Sequence, residues 1–235
     1  NNALPQGSKI DFLRSSPLGA GFSTPPKISN VASVDLDQDG LLDVVVCDSE
    51  ANQVSWIRQE PIGEFKEIVI ASDLIAPART ESVDIDGDGD LDVLVAVLGM
   101  LFPNNDPIGS VIALENNGTM SFGKRLLLDR VARVSDVRSG DFDEDGDLDV
   151  AVTQFGYDDG ETRWMENLGG WNFKSHALQS LPGGIHCPIG DLNDDGHLDI
   201  AVLVSQESEE IYLFAGDGTG KFTPHRVYGA DNPDF

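Results

Sequence analysis

A nine-residue pattern, Asp-x-Asp/Asn-x-Asp-Gly-x-Leu-Asp, occurs four times in this chain of 235 residues and restricts the possible folds more than any other feature. It reads Asp35-Leu-Asp37-Gln-Asp39-Gly40-Leu41-Leu-Asp43, then Asp84-Ile-Asp86-Gly-Asp88-Gly89-Asp90-Leu-Asp92. The third copy is Asp141-Phe-Asp143-Glu-Asp145-Gly146-Asp147-Leu-Asp149, and the fourth is Asp191-Leu-Asn193-Asp-Asp195-Gly196-His197-Leu-Asp199. Successive copies are 49, 57 and 50 residues apart. Such a period marks an architecture in which each unit buries its apolar face against the next.

Each loop leads into a short, β-branched run apolar on both faces, at residues 44–46, 93–97, 150–152 and 200–204. A strand buried between two layers has this composition. A third strand is expected at residues 53–57, 110–114, 162–165 and 210–214, followed by a turn at Gly63, Gly118, Gly169 or Gly218. A fourth opens with Phe65, Phe122, Phe173 or Phe222. Counting the strand that enters each loop, a unit holds four strands in about 50 residues, the size of a propeller blade. No segment of ten or more residues has a helical period.

The expected fold is therefore all-β, a β-propeller-type array of four four-stranded blades at about 29–73, 79–129, 134–180 and 184–228. Residues 1–28 form an N-terminal segment with an extra strand at 10–14, and residues 229–235 a tail. The unit resembles the FG-GAP or VCBS repeat, the blade of integrin α-subunit propellers and of many bacterial and lectin-like surface proteins. Rings in that family commonly hold about seven blades, so the resemblance implies a part of a larger propeller. The alternative is a four-unit arc capped by the N-terminal segment or by self-association through its end blades.

The loop spacing suits a hard divalent cation, which takes six to eight oxygens at about 2.3–2.6 Å. Carboxylates at positions 1, 3 and 5 turn inward as the backbone curls, Gly at position 6 allows a positive φ, and position 9 closes the shell. The expected ligands are Asp35, Asp37, Asp39 and Asp43; Asp84, Asp86, Asp88 and Asp92; Asp141, Asp143, Asp145 and Asp149; and Asp191, Asn193, Asp195 and Asp199. Position 7 adds a backbone carbonyl, from Leu41, Asp90, Asp147 or His197. An EF-hand would need Glu at position 12, where this chain has Val46, Val95, Val152 and Val202. Up to four Ca²⁺ are expected, the fourth loop binding weakest because Asn193 removes a charge. Mg²⁺ holds its waters too firmly for such a shell, and Zn²⁺ would want His or Cys.

The charge distribution supports a cation partner. The formal net charge is −26, and 19 of the 41 acidic residues lie in the four loops, where they repel one another without a counter-ion. A charge of this sign excludes nucleic acid and anionic membrane surfaces as electrostatic partners. No apolar run is long enough for a membrane span. Cys47 and Cys187 form no Cys-x-x-Cys pair and read as buried small hydrophobes. The chain begins at Asn1 without a signal-peptide core, as expected of a processed secreted chain or an excised piece.

Catalysis has no named residue. His176, His186, His197 and His225 are scattered, there is no Gly-x-Ser-x-Gly elbow, and carboxylates that ligate calcium are not free general acids. Trp56 and Trp164 occupy matched third-strand positions that fill space between blades, whereas Trp171 in a Gly-Gly-Trp turn is a candidate contact residue. The expected function is a non-enzymatic, calcium-stabilised interaction or adhesion module for a protein or glycan partner. The alternatives are a lectin-like carbohydrate-binding propeller and the non-catalytic propeller of a larger secreted polysaccharide-active enzyme. Open sites of this kind suit millimolar calcium, which points to an extracellular, periplasmic or cell-surface location. Insertions between second and third strands at residues 99–109 and 156–160 place a partner surface at Met100 to Asn105, with Tyr157, away from the Asp loops.

Overall fold

The computed structural model describes residues 25–102, 104–206 and 209–229; the strand expected at residues 10–14 lies outside them. The described residues form four antiparallel sheets in chain order. Blade one is β1 (Ile28–Val34), β2 (Asp43–Asp48), β3 (Gln53–Gln59) and β4 (Phe65–Ala71). Blade two is β5 (Pro77–Val83), β6 (Asp92–Val97), β7 (Gly109–Asn116) and β8 (Phe122–Val131). Blade three is β9 (Val134–Gly140), β10 (Asp149–Gln154), β11 (Glu161–Asn167) and β12 (Phe173–Gln179). In blade four the first strand is split into β13 (Gly184–His186) and β14 (Ile189–Gly190), which both pair with β15 (Asp199–Ser205), followed by β16 (Glu209–Gly216) and β17 (Phe222–Tyr228). Pro188 lies at the split; having no N–H it cannot donate to the ladder, but its carbonyl accepts from Ala201 N at 2.9 Å.

The doubly apolar second strands are explained by the stacking of the sheets. Val93 and Val95 face blade one, where they join Val45, Cys47, Val54 and Trp56 in one core. Leu94 and Ala96 face blade three and meet Val137, Val150, Val152 and Met165 in a second. The third core joins Ala151, Trp164 and Phe142 to Ile200, Val202 and Phe214 of blade four. Burying a Val, Leu, Ile or Phe side chain contributes about 1.5–3 kcal/mol, so the blade-to-blade cores dominate the stability of the array. Among the described residues no fourth core joins blade four to blade one, and the innermost strands pack in the succession β1, β5, β9, β13. The outward faces of the two end blades keep Val31 and Leu203 exposed. The array is thus an open arc of four blades within these residues.

The innermost strands are also joined by polar contacts. Ser29 Oγ donates to Pro77 O at 2.6 Å, Thr80 N to Asn30 Oδ1 at 3.2 Å, and Ser135 Oγ to Gly184 O at 2.7 Å. Fully buried Asp136 accepts from Cys187 N at 2.9 Å and His186 Nδ1 at 2.5 Å, and Arg79 Nε lies 2.9 Å from its other oxygen. A buried carboxylate with this many cationic and N–H partners is tolerated in an apolar surrounding. Burial pushes the Cys47 thiol up to about 12 and the Cys187 thiol well above its ordinary value, so both are inert.

Candidate metal centres

Each Asp loop joins the first to the second strand of its blade, so the stacking sets neighbouring loops side by side. Gln38 Nε2 of the first loop donates to Gly89 O of the second at 3.0 Å, and His197 Nδ1 of the fourth lies 2.6 Å from Glu144 Oε1 of the third. The His197 ring is therefore directed to a neighbouring blade. Its backbone N donates to Asp195 Oδ1 at 2.9 Å.

Local geometry repeats closely. The position-1 carboxylate binds the backbone of the turn: Asp35 accepts from Gly40 N at 2.9 Å, Asp84 from Gly89 N at 2.9 Å, Asp141 from Gly146 N at 3.1 Å and Asp191 from Gly196 N at 3.0 Å. The position-6 glycines have φ between +92° and +98°, with open space where a Cβ would stand, so backbone conformation and not crowding selects Gly. Position 4 is also left-handed, at Gln38, Gly87, Glu144 and Asp194, a feature the differing residue types conceal. At position 7, Leu41, Asp90 and Asp147 N each donate 2.9 Å to the carboxylate of Asp39, Asp88 or Asp145.

The position-9 carboxylates are the buried anchors. Asp43, Asp92, Asp149 and Asp199 are at most 1 % exposed. Each accepts from the end of the third strand and from loop position 2: Asp149 takes Asn167 N at 2.8 Å and Phe142 N at 3.1 Å, and Asp199 takes Gly216 N at 2.9 Å and Leu192 N at 2.9 Å. Asp43 accepts in addition the indole Nε1–H of Trp56 at 2.8 Å.

The loops differ in which carboxylates converge. In the second, one oxygen each from Asp84, Asp86 and Asp92 lies within 4.8 Å of the others, and in the third Asp141, Asp143 and Asp149 do the same. The first brings together Asp35, Asp37 and Asp39 without Asp43. Among the described residues the fourth forms no such group; Asn193 Nδ2 instead donates to Asp195 Oδ2 at 2.9 Å. Burial, then the neighbouring charges of Asp86 and Asp88, push Asp92 up to about 7. Burial pushes Asp149 up to about 6, with Asp143 adding repulsion. Asp86 and Asp143 are raised by burial and by Asp88 and Asp145. In the fourth loop the His197 N–H holds Asp195 below its usual value. The donor sets of the second and third loops fit a hard divalent cation: among the described residues three carboxylates converge without an ion pair to any of them, and in the third loop Asp141 Oδ1 is buried without a hydrogen-bond partner, as is Asp37 Oδ1 in the first.

Between these two loops, where position 4 is Gly87 and sends no side chain across, a cleft of about 210 Å³ opens. Asp84, Asp86, Asp147, Asn167 and Trp171 line it, and the Arg125 guanidinium lies 5.7 Å from the Trp171 ring centre. At the opposite end of the blades the two insertions meet: Asn105 Nδ2 donates to Asp158 Oδ2 at 2.5 Å, and Asp158 N to Asn105 Oδ1 at 3.0 Å. Met100, Phe102 and Tyr157 are exposed there. Trp56 and Trp164 are buried in the blade-to-blade cores.

Four-stranded antiparallel sheets stacked in series, each with an Asp-rich loop after its first strand, define an all-β, β-propeller-type repeat protein. The FG-GAP-like repeat model matches residues 35–95, 84–152 and 141–202, and the chain belongs to that family. No curated protein matches the chain. Among solved structures it is similar to a lectin from Agrocybe aegerita, described as specifically recognising non-reducing terminal N-acetylglucosamine. The TM-score is 0.53 at 20 % identity, over 83 % of this chain and 50 % of the lectin, so the chain spans about half the lectin's length.

Proposed function

We propose that this chain is a calcium-stabilised, non-enzymatic interaction module for the outside of the cell, in which Ca²⁺ ties the first strand of a blade to the second. The observation that carries the reading is the convergence of three carboxylates in each of the second and third loops, one of them buried at position 9 and raised in pKa by burial. A cation at that point relieves the repulsion and links the loop to the strand anchor. An ion that binds only the folded loop adds RT ln(1 + [L]/Kd), about 2.7 kcal/mol at a hundredfold excess over Kd. Calcium titration of chelator-stripped protein should give saturable heat and a higher melting temperature. No heat together with an unchanged melting temperature would falsify the reading.

A second reading, a lectin-like propeller, is favoured by the cleft beside Trp171. An indole wall next to carboxylates and an Asn side chain suits a polyhydroxylated ligand, whose C–H face stacks on the ring while its hydroxyls donate to the acids. The fold's similarity to a glycan-recognising lectin supports the same class of ligand. On a glycan array Trp171→Ala should lose at least about tenfold in binding. Undiminished binding by this variant would move the glycan elsewhere, toward the joined insertions at Met100 and Tyr157.

A further inference from the structure

The four loops share a pattern but not the side chain that faces them from the third strand. Strand registers pair Val44 with Ile57, Val93 with Leu114, Val150 with Met165 and Ile200 with Phe214, so the next residues, Arg58, Glu115, Glu166 and Ala215, occupy one repeated position. In blade one that position carries a cation. Arg58 Nε lies 2.5 Å from Asp37 Oδ2, Nη2 lies 3.6 Å from Asp39 Oδ2, and Nη1 pairs with Glu60. The guanidinium is steered there by Trp56, whose ring centre is 5.6 Å from Arg58 Cζ and whose Nε1–H is held by the anchor Asp43. Blades two and three place a further carboxylate instead, each satisfied from its own sheet: Arg125 Nε donates to Glu115 Oε2 at 2.8 Å, and Lys174 Nζ to Glu166 Oε2 at 3.1 Å.

We infer that Arg58 is a tethered counter-cation that orders the first loop without an ion, so that tight calcium binding is confined to the second and third loops. This rests on the calcium reading above and changes its stoichiometry. Two of the three carboxylates that converge in the first loop, Asp37 and Asp39, are already paired with the guanidinium, and Asp43 is spent on Trp56 and two backbone N–H groups. A Ca²⁺ entering that loop meets a guanidinium already on two of its carboxylates. At the second and third loops the nearby cations, Arg125 and Lys174, are held on Glu115 and Glu166, and among the described residues no cation forms an ion pair with the converging carboxylates. The fourth loop, with Asn193 at position 3 and Ala215 at the facing position, has neither the full acid set nor the cation. One repeated motif is thus used in two ways: an internal ion pair at the arc's first blade and metal at its two inner ones.

The test is calcium titration of the whole chain as wild type, Arg58→Gln and Arg58→Glu, with melting curves of each in chelator. Wild type should bind two ions at least about tenfold more tightly than any others, and both variants should gain a third tight ion that Asp39→Asn in the same background abolishes. In chelator, Arg58→Gln should melt below wild type and recover when calcium is added. A wild type that fills three or four equivalent sites, or folded variants that gain no ion, would overturn the inference. Should calcium bind nowhere, the calcium reading fails by itself. Arg58 is then judged by the chelator melts, where an unchanged melting temperature for Arg58→Gln overturns its role.

Discussion

In chelator at pH 5.5, where the carboxyl is largely protonated and the exchange relieves little buried charge, Asp149→Ala is expected to lower the unfolding free energy by about 3–6 kcal/mol, the largest loss for any exchange in the third loop. The carboxylate is fully buried and accepts Asn167 N at 2.8 Å and Phe142 N at 3.1 Å. Alanine leaves both amides buried without an acceptor, at about 1–3 kcal/mol each, and opens a small void beside them. One of those amides belongs to Phe142, whose ring is buried in the core between blades three and four, so the damage spreads from the loop to a blade junction. Against a total of about 5–15 kcal/mol for a domain, the loss approaches unfolding. Asp147→Ala is the control: it is exposed two residues away, and in chelator it should change stability by no more than about 0.5 kcal/mol. Urea unfolding of both variants decides it. A loss below about 1 kcal/mol for Asp149→Ala would show that the position-9 Asp is not a structural anchor.

The same residue illustrates what could be read before the structure was known. Asp at position 9 was legible as an acid in a ligand pattern, but that it joins the converging group in the second and third loops and not in the first or fourth, at the same spacing, was not. Its second task, closing the third strand onto the loop, depends on Asn167 N or Gly216 N, 17 or 18 residues away, and no local pattern reports such a partner. The blades themselves were legible because strand periodicity, the loop and the Phe that opens each fourth strand are local signals. Burial of the second strands on both faces follows from Val and Leu at successive positions such as 93–95. Long-range pairings were hidden: the split at Pro188, the Asn105–Asp158 link between insertions, and the pairing of Arg58 with Asp37 across 21 residues. The left-handed position 4 was concealed for another reason. Gln38, Glu144 and Asp194 adopt it because the loop's hydrogen bonds impose it, although none of the three is the glycine that would announce it.

Acidification should stabilise the ion-free protein and weaken its hold on calcium. Asp92 rises from 3.8 to about 7 and Asp149 to about 6, first through burial and then through neighbouring carboxylates. A carboxylate with a folded pKa above its unfolded one binds protons more tightly when folded, so stability falls as pH rises from about 4 to about 7 and gains as pH is lowered through that window. Glu81, raised by burial, acts in the same direction, and so does His197, raised by its bond with Glu144. Glu166, held low first by its bond with His176 and then by Lys174, and Asp217, held low by Thr219, act in the opposite direction; their loss of stability belongs to the more acid end, below their ordinary values of 4.5 and 3.8. Between pH 8 and pH 5.5 the raised groups prevail, and the chelator-treated protein should gain about 1–3 kcal/mol, a few degrees in melting temperature. With saturating calcium the cation already relieves the repulsion, so the profile should flatten or reverse, and calcium Kd should rise as protons compete for Asp92 and Asp149. Asp92→Asn should remove the upper part of the ion-free profile near pH 7 and leave the part near pH 6. A melting temperature in chelator that rises with pH between 5.5 and 8 would show that these carboxylates are not held protonated, and with it that the second and third loops carry no stored repulsion for a cation to relieve.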